Sequence, residues 1–414
     1  MEQQRVVITG LGAIAPNGVG TAAFWDALIH GRSGISPIRR FDASAFPSRI
    51  AGEVRDFEPP ACLSIRDLRH MSRASQFAVG VSHMAVEDAG IQLTTDNSSS
   101  IGVCFGTSVG KSEAVDDEHL PFLHKGVRAI HPTSLLEFAP HAVSSHVAAA
   151  LDLRGVSGTL SSGCTGGLET VQWGCHQIRQ GRAAVAVVGG TEALLTPYAF
   201  GMACAAGLLS TRNQAPQAAS RPFEAQRDGL VFSEGAGALV LEAYEHARAR
   251  QAPMYAEVLG FSTAREGRQL VGVDASGRSI VRVIEDALAR AALPKHRLDY
   301  ICAHGIALGA YDVAETNAIK AVFGAHAYNT PVSSIKSMIG QPFSAASALQ
   351  TVAACLVLQH GVIPPTINLD TPDPQCDLDY VPHRARRARV RTVLVQACGM
   401  GGTYSTLLLG EVTS

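Results

Sequence analysis

The chain has 414 residues, 46% of them hydrophobic and 17% charged, which is ample apolar material for a large core and excludes a disordered chain. Thirty-four basic residues against 36 acidic leave a formal net charge of −2, so the balance gives no electrostatic footprint for nucleic acid or membrane. Nine cysteines are too sparse for a disulfide scaffold and their odd number leaves a thiol unpaired, so a reducing, cytoplasmic setting is expected.

At about 100 to 200 residues per domain the length points to two units. The opening MEQQRVVITGLG lacks the basic-then-apolar order of a signal peptide and runs into a predicted strand over 5–9. Strands follow over 101–105 and 184–188, and between them a helix places Leu168, Val171, Cys175 and Ile178 on one face before ending near Gln180-Gly181. The runs 237–242 and 255–263 are strand-like with no helix between them, so antiparallel pairs are expected. A strand over 298–302 precedes a second helix through Ala345, Leu349, Val352 and Leu356 that ends at His360-Gly361. The stretch 345–358 is broken by Ser347, Gln350 and Thr351 and is too short for a hydrocarbon layer of about 30 Å, so it reads as a buried helix. Pro364 and Pro365 mark a turn or edge, and strands over 392–396 and 404–409 close the chain. The alternation predicts an α/β layered fold with a mixed sheet. Both helices start at a small-residue loop, which reads either as a faint internal repeat or as chance similarity between two α/β units.

The first of those loops, Ser161-Ser162-Gly163-Cys164-Thr165-Gly166-Gly167, holds a thiol in a glycine-rich bend at a helix start. The helix dipole and free N–H groups there favour a thiolate and can receive an oxyanion; the alternative is a small buried filler. His304 lies just beyond a strand end, where α/β folds place functional side chains, although most of the 15 histidines must be structural or solvated. Lys336, in VSSIKSM, is a fixed charge at the site or a snorkelling surface residue. Gly399-Met400-Gly401-Gly402-Thr403 joins two strands, so it reads as a tight turn lining a site and not as a nucleotide fingerprint. No metal-ligand spacing or P-loop occurs, which removes zinc and nucleotide chemistry.

Taken in order, RVVITGLGAIAPNGVG, SSGCTGG, VVGGTEA, SRPFEAQRDGLVFSEGAGALVLE, CAHG, VSSIKSMIG, PPTINLDTPDPQCDLDYVP and CGMGGT resemble a β-ketoacyl synthase over nearly the whole chain. MSRASQFAVG, GCTGGLETV and DTPDPQCDLDYVP are most similar to the ketosynthase subunit of bacterial type II polyketide systems. The resemblance implies the thiolase-like α/β fold, five-layered αβαβα, with two pseudo-duplicated halves and mixed sheets. Residues 1–250 would carry the nucleophile and residues 251–414 His304, Lys336 and Gln341. It also implies a homodimer, or a heterodimer with a chain-length-factor-like subunit, and an acyl or peptidyl carrier protein that delivers the chain on phosphopantetheine, with no other cofactor and no metal. Cys164 matches the nucleophile, His304 the first catalytic histidine, Lys336 the lysine and Asp312 with Glu315 the structural acidic pair. The backbone N–H groups of Cys164 and Met400 match the oxyanion hole.

Three departures from the family pattern stand in this site. Gln341 replaces the second catalytic histidine, and its amide can donate to a thioester oxygen but cannot titrate. Ile306 and Leu308 replace the threonines that bond the pantetheine arm. Cys398 and Met400 replace the phenylalanines of the gate, which reshapes the pocket. The reading is therefore an acyltransferase of polyketide or related secondary-metabolite biosynthesis. It loads a chain on Cys164 and then carries out intramolecular cyclisation or lactone-forming release. Ordinary decarboxylative condensation with a malonyl-type extender is the first alternative, and a non-catalytic chain-length-factor-like subunit the second.

Overall fold

The computed structural model describes residues 4–69, 71–267 and 272–413. The path of the large sheet takes five strands from the first half: β1 (Val6–Ala15), β2 (Ile101–Gly106), β3 (Ser157–Leu160), β4 (Val185–Glu192) and β5 (Gly235–Ala243). Five more follow in the second: β6 (Ala256–Arg265), β7 (Tyr300–Cys302), β8 (Val332–Ser333), β9 (Thr392–Gly399) and β10 (Thr403–Gly410). Every residue of β1, β2, β4, β5 and β10 is buried, so these strands read as continuous apolar runs without alternation. β1 extends to Ala15, beyond the expected 5–9. Gly10 and Gly12, which look like breakers, are needed there because a Cβ on them would come within 2.0 Å of Ala85 O and 2.1 Å of Val81 O.

The strand order is β3-β2-β4-β5-β1 in the first half and β8-β7-β9-β10-β6 in the second. Numbered within its own half, each set runs third, second, fourth, fifth, first. Pair directions match too, with two parallel contacts followed by two antiparallel ones. The faint repeat is thus a duplicated topology. Antiparallel pairs are present as expected, but of these ten strands only β9 with β10 joins consecutive strands without a helix: Tyr244–Ala249 separates 235–243 from 256–265, which do not pair with each other. The halves join where β1 meets β6 antiparallel, at Val7 with Glu257 and Ile8 with Ala256.

Helix α1 (Arg73–Asp88) covers β1, β4 and β5, while α3 (Arg278–Arg290), which packs against α4 (Gly309–Phe323), covers β6 and β10. Between the halves lie α2 (Gly166–Arg179), which touches β4 and β10, and α5 (Phe343–His360), which touches β4, β5 and β9. The result is five layers, αβαβα. On α2 the face of Leu168, Val171, Cys175 and Ile178 is buried as the periodicity predicts. α5 is longer than its expected 345–358. Its 18 residues would span a membrane by length and composition, yet Phe343 to Val357 are all buried between the sheets. The segment ending at Pro364 leaves the main sheet, and Val362–Ile363 pairs only with Arg386–Arg387.

Candidate active site

The two central helices start against each other. Gly163 takes a left-handed φ of 64° and opens a tight turn, Gly163–Thr165, that feeds α2 and leaves Cys164 only 5% exposed. In the second half Gly340 has φ 71° and Gln341 follows it, anchored by its backbone N–H to Val231 O at 2.8 Å. Gln341 Nε2 donates to Cys164 Sγ at 3.0 Å, and the backbone N–H of Met400 also reaches this sulfur. Burial pushes the Cys164 thiol up to about 11, and the Lys336 charge and the Gln341 bond offset only part of that. The thiolate expected from the helix start is therefore not the resting form, because desolvation outweighs the stabilising groups.

His304 follows β7 and is 1% exposed. Its loop is held from α4: Glu315 accepts the N–H groups of His304 at 2.6 Å and Gly305 at 2.9 Å, and Asp312 accepts that of Ile306 at 3.0 Å and that of Phe223 at 2.9 Å. Burial raises both carboxyls, Asp312 to about 6 even with Arg227 Nε 3.4 Å away. Lys336 is no surface residue. It is 1% exposed, and its Nζ donates to His304 O at 2.7 Å and Gln350 Oε1 at 2.8 Å. Burial, and then the Lys336 charge, hold the His304 imidazole well below its ordinary range, so it is neutral at pH 7. Both ring nitrogens of His304, and Gln341 Oε1, are buried without a hydrogen-bond partner among the described residues. Polar atoms left open in this way are available to a bound group.

A cavity of about 350 Å³ opens beside this constellation, lined by Leu194, Tyr198, Met202, Phe232, Phe343 and Met400 among others. Its wall is almost entirely apolar, which suits an acyl chain. Of the four residues expected to shape the pocket, Met400 lines the cavity and is 47% exposed, at the tip of the tight turn joining β9 to β10. Ile306 packs in the same apolar cluster as Cys164, with Leu308 half-buried against it. Cys398, near the end of β9, is buried in the apolar core of the second half. Two residues of the site escaped the sequence reading. Phe343 holds a left-handed φ of 44°, with its ring edge-on to Phe232 at 4.9 Å, and Gln350 looked like a mere polar break in an apolar helix.

Residues 3–247 match the family described as Beta-ketoacyl synthase, N-terminal domain, and residues 255–370 match Beta-ketoacyl synthase, C-terminal domain. The chain is 40% identical over 412 residues to 3-oxoacyl-[acyl-carrier-protein] synthase 2 of Coxiella burnetii, covering 100% of both chains. It is 42% identical over 416 residues to the tetracenomycin polyketide synthase ketoacyl synthase alpha subunit of Streptomyces glaucescens, covering 99% of this chain and 97% of that one. Among solved structures it superposes with a TM-score of 0.91 and 34% identity on a ketosynthase in complex with its type II polyketide acyl-carrier protein, covering 100% of each chain. With the ishigamide ketosynthase/chain length factor the TM-score is 0.93 at 35% identity, covering 99% of this chain and 100% of that one.

Proposed function

The chain belongs to the β-ketoacyl synthase family, condensing acyltransferases of polyketide and fatty-acid type synthesis, and from that premise we propose that Cys164 takes an acyl chain which then reacts with itself. The chain arrives on the phosphopantetheine of an acyl or peptidyl carrier protein, the kind of partner bound in the solved ketosynthase complex. The sulfur of Cys164 attacks the thioester carbonyl, the oxyanion rests on the N–H groups of Cys164 and Met400, and the pantetheine thiol leaves with the proton. His304, neutral, offers one donor and one lone pair to the bound thioester. Asp312 and Glu315 hold its loop.

One observation carries the second step. Gln341 gives one N–H to the Cys164 sulfur, and its Oε1 is a buried acceptor without a partner among the described residues. A carbonyl oxygen repels the enolate that decarboxylation of an extender creates, but accepts a hydrogen bond from a chain hydroxyl. This supports intramolecular cyclisation or lactone-forming release, in which the hydroxyl attacks the Cys164 thioester and the thiol departs with its proton. A second reading, decarboxylative condensation, has one feature in its favour: a turned Gln341 amide would donate to an enolate oxygen as a histidine does. A non-catalytic, chain-length-factor-like role is weakened by the presence of both Cys164 and His304, each buried and each within reach of the Lys336 charge. Incubating the protein with acyl- and malonyl-carrier proteins and weighing the intact protein and products decides among these. A cyclised product of unchanged carbon count is expected, and carbon dioxide release with chain elongation would overturn the proposal.

We treat residues 1–250 and 251–414 as the two halves. Leu123, Val127, Leu135, Leu136 and Phe138 are all more than 60% exposed, an apolar face that supports pairing with a second copy or with a chain-length-factor-like subunit.

A further inference from the structure

Gln350 is fully buried on α5, and every polar atom of its side chain is engaged. Its Oε1 accepts from Lys336 Nζ at 2.8 Å, while its Nε2 donates to Ala303 O at 2.8 Å, Gln396 O at 3.1 Å and, more weakly, Cys302 O at 3.4 Å. One amide therefore ties α5 to the ends of β7 and β9, directly under the loop that carries His304. The ammonium it holds makes its other bond to His304 O at 2.7 Å. Both acceptors are neutral carbonyl oxygens, and among the described residues no carboxylate lies within ion-pair distance of Lys336. A buried cation without a counter-ion is costly, so an anion that forms nearby is stabilised by it.

The groups that bear on this charge come from every surrounding element. They are Cys302 at the end of β7, Cys398 on β9, Glu315 on α4 and Cys164 at the start of α2. The Glu315 carboxylate is already spent on two backbone N–H groups. The His304 imidazole is neutral, and Glu192, fully buried at the end of β4, opposes ionisation of Cys164. Of these groups Cys164 is the one whose chemistry requires a negative charge.

We propose that Gln350 is a positioning residue whose neutral amide fixes the Lys336 ammonium beneath His304 and leaves its charge uncancelled for the anion that forms on Cys164. The proposal rests on Cys164 as the nucleophile but not on any fate of the acyl chain. A carboxylate at position 350 would cancel that charge in place. It would also set a negative oxygen against the carbonyls of Ala303 and Gln396, which is why an amide suits the position.

The test needs no acyl substrate. Alkylation of Cys164 by iodoacetamide, followed by mass spectrometry of its peptide between pH 7.5 and 10, is compared in the full-length protein, Gln350→Glu, Lys336→Gln and the double variant. Lys336→Gln removes the charge and keeps a donor. Each single change is expected to slow alkylation at pH 9 at least about fivefold, and the double variant is expected to be no slower than Lys336→Gln. Alkylation of Gln350→Glu at the wild-type rate would overturn the proposal, and so would an additive effect in the double variant, which marks lost access instead of lost charge. If Gln350→Glu does not melt cooperatively, Lys336→Gln decides alone, and a wild-type rate overturns the proposal. Failure of acyl loading with these results intact would instead count against the proposed function.

Discussion

The starts of α2 and α5 occupy matching places, each after the third strand of its half, yet they do opposite things. Gly163 and Gly340 share a left-handed backbone, at φ 64° and 71°, and each presents the next residue to the same point. In the first half that residue is a thiol and in the second an amide, 3.0 Å apart. The following residues are complementary. Gly166 and Gly167 leave room for Ser344, whose Oγ would lie 2.9 Å from a Cβ on Gly166, while the second half has Phe343 and Ser344 in the corresponding places. A duplicated fold thus brings two equivalent loops face to face, and divergence of one residue in each sets the chemistry. In the proposed reaction one start titrates and reacts, and the other orients.

Breaking the first start has the largest expected effect. Cys164→Ala should abolish acyl loading from a carrier protein, a loss beyond about a thousandfold, seen by intact mass. Persistence of a covalent acyl adduct would move the nucleophile elsewhere. Sharpening the second start comes next: Gln341→His restores a titratable donor and should raise decarboxylation of a malonyl-carrier substrate by about 10- to 100-fold. The fit between the starts is tested by Gly167→Ala, whose Cβ would sit 2.4 Å from Ala348 N. Overpacking of this kind should lower stability by about 2–3 kcal/mol in urea titrations, and an unchanged midpoint would show that α5 can shift.

The smallest effect concerns the clamp on the His304 loop. Asp312 is raised from 3.8 to about 6 by burial, so its contribution to stability is full below its ordinary pKa and is lost as pH rises through about 6. Relative to Asp312→Asn, the wild-type protein should lose about 1–2 kcal/mol between about pH 5 and about pH 8. Parallel stability profiles for the two proteins would show that Asp312 stays ionised throughout.

Much of this was legible in the sequence. Fully buried strands announce themselves as apolar runs, and the α2 face follows from its period. Cys164 had two readings in its glycine-rich helix start, nucleophile or small buried filler, and the family pattern favours the first. Gln341 could be named only against the family pattern. Gln350 was hidden because an isolated glutamine in an apolar helix has no periodicity, and its partners Lys336, Ala303 and Gln396 are brought to it by packing alone. The left-handed Phe343 was hidden for a similar reason, since its packing partners, Phe232 among them, are distant in sequence.

The central claim is that the amide at position 341 turns the site away from decarboxylation. Its most direct test is release of labelled carbon dioxide from a malonyl-carrier protein by the wild-type protein and by Gln341→His, both preloaded on Cys164. The account predicts release near background for the wild-type protein and a clear gain for Gln341→His. Rapid release by the wild-type protein, unchanged in Gln341→His, would contradict it.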